Sequence, residues 1–108
     1  MLVPDPRLVS IFETLKEREG VDYGKALQSI GLMVHGKLFA FIKDDRLVVK
    51  LPASSVNDLV AHHGAVRFEK GQGKPLREWV SLHDGTGIDW SLWALHAADF
   101  VGKDSRRT

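Results

Sequence analysis

The side chains that could carry chemistry are histidines, a serine, paired carboxylates, a lysine beside glycines, and rings set among cations. Five histidines are present: His35, His62, His63, His83 and His96. A helical metal motif needs two His at i and i+4 with a carboxylate partner. His62 and His63 are adjacent, so on a helix they point about 100° apart and do not face one ion. Ser81, His83 and Asp84 are close in sequence. A hydrolytic triad is assembled in space, however, and no Gly-x-Ser-x-Gly elbow occurs. The carboxylate pairs Asp44-Asp45 and Glu17/Glu19 read as a turn and an exposed helix end. In Gly71-Gln72-Gly73-Lys74-Pro75 the glycine spacing fits neither nucleotide fingerprint, and Pro75 offers no N–H. That segment reads as a hairpin connection. The expectation is a chain with no catalytic cluster, no metal site and no cofactor.

Two aromatic groups remain. Residues 37–51, KLFAFIKDDRLVVKL, alternate so that Lys37, Phe39, Phe41, Lys43, Arg46 and Lys50 fall on one side of a hairpin. Aromatic rings among cations on an open sheet suit base stacking and phosphate attraction. They equally suit a face covered by a partner protein or a second subunit, with the lysines as its polar rim. Protein association is the reading preferred here, and nucleic-acid contact the second. A third reading places a small-molecule pocket between the last helix and the sheet, lined by Trp79, Trp90 and Trp93. An aromatic stripe at helical spacing more often belongs to a core.

The elements that must position these residues follow from periodicity. Asp5 caps and Pro6 opens a first helix, with Leu8, Ile11, Phe12 and Leu15 as its apolar stripe and Gly20 as its end. Residues 21–29 are ambiguous: Gly24 opposes a long helix, while Tyr23, Ala26, Leu27 and Ile30 suit one short turn. A three-strand meander follows, turning at His35-Gly36 and Asp44-Asp45. The second turn pairs Ile42 with Leu47, Ala40 with Val49 and Leu38 with Leu51, and Met33 stands opposite Leu38; this all-apolar side is the expected core face. Leu32, Val34 and Val48 then share the other side with the rings and cations. Ser55 opens a middle helix with Val56, Leu59, Val60 and His63 inward and Gly64 ending it. Val66–Glu69 and Glu78–Leu82 read as strands. A last helix is capped by Asp89, carries Trp90, Trp93, Ala94, Ala97 and Val101 at helical spacing, and stops at Gly102. Residues 103–108 read as a polar, flexible tail. The fold class is α+β: an antiparallel meander of about five strands with N-terminal, middle and C-terminal helices, as one domain over residues 1–108.

Composition agrees. A chain of 108 residues has room for one core. Fifteen Lys+Arg against fourteen Asp+Glu give +1, which excludes a strongly basic or acidic chain as a whole. Cysteine is absent, which removes disulfides, thiolate metal sites and cysteine nucleophiles. No run of 18 apolar residues suggests a membrane span, and MLVPDPR lacks the layout of a secretory leader, so a cytoplasmic location is expected.

Three stretches carry a family likeness: GLMVHGKLFAFIKDDRLVVKLP (31–52), SSVNDLVAHHGA, and RFEKGQGKPLREWVSL (67–82), whose Gly-x-Gly-x-Pro-Leu-x-Glu-Trp-Val wording is the most specific. With the tryptophan-bearing last helix, about three quarters of the chain resembles the TfoX N-terminal-domain family of competence regulators, and more loosely the small YjbR-like proteins. The resemblance implies a curved antiparallel sheet with flanking helices and an association with competence-type regulation. It implies no catalytic residues. Where members carry an Arg-x-Met-Phe-Gly-like stretch, this chain reads LQSIGLM.

Overall fold

A computed structural model of the chain describes residues 3–26, 29–69, 73, 75–83 and 87–105. The elements are α1 (Pro6–Leu15), β1 (Val21–Ala26), β2 (Ser29–Val34), β3 (Lys37–Lys43), β4 (Arg46–Lys50), α2 (Ala53–His62), β5 (Val66–Glu69), β6 (Pro75–His83) and α3 (Trp90–Ser105). The strands form one antiparallel sheet of six in the order β1-β2-β3-β4-β6-β5. The class is α+β, with one strand more than the sequence pattern suggested.

The extra strand is β1. Its Val21 and Tyr23 alternate toward the core and Asp22 away from it, and it pairs with β2 from Val21↔Val34 to Ala26↔Ser29. Gly24 does not break a helix here; it stands opposite Gly31 within a ladder.

Both hairpin turns form as the residue types require. His35 and Gly36 have φ of 51° and 78°, and Asp44 and Asp45 of 53° and 61°. Positive φ at both central residues matches the right-handed twist of the flanking strands. Asp tolerates that conformation because its short polar side chain satisfies backbone locally.

At the helix ends the structure departs from the pattern. Helix α1 stops at Leu15, and Gly20, at φ 83°, shapes the turn into β1 instead. Helix α2 starts at Ala53 behind Pro52, two residues before Ser55, with no side-chain cap; His63 is its exposed C-cap, not a core residue. Helix α3 runs past Gly102 to Ser105, because Gly102 packs against Val34, whose methyl would meet an added Cβ at 3.2 Å. Residues 103–105 of the expected tail are therefore helical, and 106–108 lie outside the described residues.

The three helices bury their stripes in one cluster with one side of the sheet. Leu8, Ile11 and Leu15 of α1, Val56 and Leu59 of α2, and Ala94, Ala97, Ala98 and Val101 of α3 join Leu47, Val49, Leu51, Val80 and Leu82. The three alanines let α3 lie close on β3 and β4. A second, smaller cluster contains strand residues only: Ala26, Phe41 and Val48, with Leu38, Phe68 and Trp79 packed on them. Among the described residues, one sheet face is thus helix-covered and the other is not.

Asp5 holds the start of α1. Its carboxylate accepts from the Arg7 backbone N–H at 2.8 Å and from the Arg7 guanidinium at 2.9 Å. The guanidinium also reaches Asp45 in the β3–β4 turn at 3.1 Å. The Arg7 side-chain bond, more than any other influence, keeps the Asp5 carboxyl below the ordinary aspartate value, with burial pushing the other way. A depressed folded-state pKa gives stability that is complete above the unfolded value and is lost as pH falls through the folded one. Asp5→Ala should therefore cost about 1 kcal/mol at neutral pH. That gap should close as the solution is acidified below the carboxylate range. Paired thermal melts of both proteins across pH check this; a gap constant down to strong acid contradicts it.

Candidate functional site

The predicted basic–aromatic face is rebuilt by a single irregularity. Leu32 pairs with Ala40 but the next residue, Met33, pairs with Leu38, so Phe39 is an extra residue on β3. A bulge of this kind reverses which face each residue before it occupies. On the turn side of the bulge the expected faces hold: Ala40↔Val49 and Ile42↔Leu47 face the helices, Phe41↔Val48 and Lys43↔Arg46 face away. On its other side they are exchanged. Leu32 and Val34 enter the main core, while Leu38 lies on the helix-free face. Met33 shares that face as the Leu38 partner, its thioether filling the space over Gly24.

The six residues proposed as one surface are accordingly dispersed. Phe39 is 0% exposed in the main core, and Phe41 is 3% exposed at the floor of the second cluster. Neither ring is an open stacking platform. Lys37 and Lys50 stand at the far end of β3 and β4, lining a hollow of about 180 Å³ with Leu38, Glu78 and Phe100. Lys43 and Arg46 stay together on the helix-free face, beside the Asp44-Asp45 turn.

New residues join those two. Strand β6 pairs with β4 through Arg46↔His83, Val48↔Ser81 and Lys50↔Trp79, which brings His83, Ser81 and Trp79 to the same face. Phe68 of β5 meets the Phe41 ring edge-on at 5.5 Å, and Trp79 tilts against Phe41 at 5.8 Å. Strands β3 and β5 are three steps apart, about 14 Å in a flat sheet. The sheet therefore curls toward this face, and the rings lean together over Val48. The Lys43 ammonium sits 5.6 Å from the Phe68 ring centre, within cation–π range. Lys43, Asp44, Arg46, Val48, Phe68, Glu69 and Ser81 enclose an open hollow of about 390 Å³. Both strands were legible in Val66–Glu69 and Glu78–Leu82, but the non-local pairing of β4 with β6 and of β6 with β5, which sets Phe68, Ser81 and His83 beside Arg46, has no local signal.

The tryptophan pocket does not form. Trp79 belongs to the strand-only cluster, whereas Trp90 and Trp93 pack on the helix-side core, across the sheet. Trp90 Nε1 donates to the His83 carbonyl at 3.1 Å and its ring lies 5.6 Å under the Arg7 guanidinium, so it ties α3 to β6 and α1. Ser81 and His83 lie two residues apart on one strand and make no hydrogen bond to each other, so no nucleophile–base pair is formed. Asp84, and the Gly71, Gln72 and Lys74 of the glycine loop, lie outside the described residues; β5 and β6, which that loop joins, are antiparallel neighbours. Among the described residues no helix is long and apolar enough to cross a membrane. No family model, no curated protein and no solved structure matches the chain.

Proposed function

We propose that the domain is a non-catalytic, cytoplasmic binding module that docks a protein partner on the helix-free face of its sheet. The observation that carries this reading is the one-sided architecture. All three helices share one core with one face of the sheet, and the other face holds a ring cluster rimmed by Lys43 and Arg46. An apolar, aromatic centre with a charged rim is the anatomy of a protein interface. Rings packed edge-on against each other offer contact area rather than flat stacking surfaces, which favours protein over single-stranded nucleic acid. The likeness to the TfoX N-terminal-domain family supports a role in transcription or competence-type regulation.

A photo-crosslinking residue at position 68 tests the reading. An adduct from position 68, with none from exposed Ala61 on α2, is expected. The adduct mass tells a second copy from a different protein. Trp79→Ala should reduce adduct formation about thirtyfold, the size of an interface hot spot. Adducts from position 61 alone, or equal yields from both, overturn the proposal.

A further inference from the structure

The helix-free face also carries a feature that protein docking alone does not explain. Lys43 and Arg46 are direct cross-strand partners, and like charges placed opposite each other destabilise a sheet. His83 is the partner of Arg46 on the next strand, so three adjacent strands present a row of Lys43, Arg46 and His83 about 5 Å apart. Among the described residues no carboxylate lies within ion-pair distance of Lys43 or Arg46. The Ser81 hydroxyl joins the same hollow, and Phe68 forms its apolar wall.

We propose that this hollow is a binding site for a phosphomonoester, with the phosphoryl group on Lys43, Arg46 and Ser81 and its organic body against Phe68. The inference rests on the reading of this face as the working surface and adds the chemical class that it takes. The donor set decides between anions. A carboxylate has two coplanar oxygens, which one Arg fork satisfies. Here donors come from three strands and two of them carry fixed positive charge, which matches the several oxygens and double charge of a phosphate ester. A hollow of about 390 Å³ leaves space for the group that bears the phosphate. Asp44 and Glu69 line the same hollow and oppose the anion, so the phosphoryl group must bind where Lys43, Arg46 and Ser81 outweigh them.

Phenyl phosphate is the probe, followed through the amide resonances of Val48 and Ser81. Saturable shifts are expected, weakened about tenfold by Arg46→Gln and again by Lys43→Gln. Glu69→Gln should tighten binding. Benzoate should bind at least tenfold more weakly than phenyl phosphate; equal binding overturns the phosphoryl assignment, and so does the absence of shifts with either compound. A phosphotyrosine peptide that binds more tightly than phenyl phosphate supports the site with a phosphorylated segment as its source, and equal affinity supports it with a free phosphate ester. Should position 68 still crosslink its partner while phenyl phosphate produces no shift, the docking surface stands and this inference alone falls.

Discussion

Phe39→Ala should remove about 3–5 kcal/mol of folding stability, the cost of truncating a fully buried ring. Phe39 is the largest of the completely buried side chains, and it occupies the extra position of the β3 bulge, where it and Ala40 both face the helices opposite Leu32. Deleting the ring opens a cavity beneath α3 and removes the packing that makes the bulge preferable to a regular ladder. A domain of this size has about 5–15 kcal/mol in total, so the loss takes about a fifth of it or more. The melting temperature should drop by more than about 10 °C. Lys37→Ala, an exposed change two residues away, should stay within about 0.5 kcal/mol. Urea denaturation of the three proteins measures both. A loss below about 1 kcal/mol for Phe39→Ala means that the ring faces solvent and that the bulge is elsewhere.

That one residue also marks how far the sequence could be read. Local chemistry was legible. Asp5-Pro6 started α1, His35-Gly36 and Asp44-Asp45 made their turns, and the register from Ala40↔Val49 to Ile42↔Leu47 followed from turn length alone. Errors arose where the answer depended on distant chain. The bulge is a compromise between β2 and β3 pairing and the volume available under α3, and nothing in KLFAF signals it. Its effect is a change of face, so correct strands were joined to a wrong assignment of faces for Lys37, Leu38 and Phe39. No strand order past β4 could be read either: β4 takes β6 as its neighbour because α2 carries the chain to the far edge before β6 returns. Lys43 and Arg46 do share the helix-free face, but the ring beside them is Phe68, from a strand 25 residues further along than Lys43.

Gly31→Ala tests the other side of the curl. A Cβ at Gly31 would lie 2.8 Å from the Ala40 carbonyl oxygen, 2.8 Å from Leu38 Cδ1 and 2.9 Å from Ala26 Cβ. Leu38 can rotate away. The Ala40 carbonyl belongs to the bulge and Ala26 Cβ has no torsion to change, so backbone must move. The missing side chain is what lets Ala26 of β1 and Leu38 of β3 meet over β2. Overpacking of this kind costs about 1–3 kcal/mol, and the gain from replacing a strand glycine, about 0.5–1 kcal/mol, offsets only part of it. Gly24→Ala is the internal control. The three atoms nearest its added Cβ would all belong to Met33, the closest at 2.3 Å, and an unbranched thioether side chain re-packs readily. Gly31→Ala should therefore be the more destabilising of the two by urea midpoint, with faster amide exchange along β2 and β3. It should also flatten the face that gathers Phe41 over Val48, and so weaken crosslinking from position 68 although no residue of that site is altered. The reverse ranking of the two alanines would place the tight crossing at Gly24, and with it the β2–β3 register described above would be wrong.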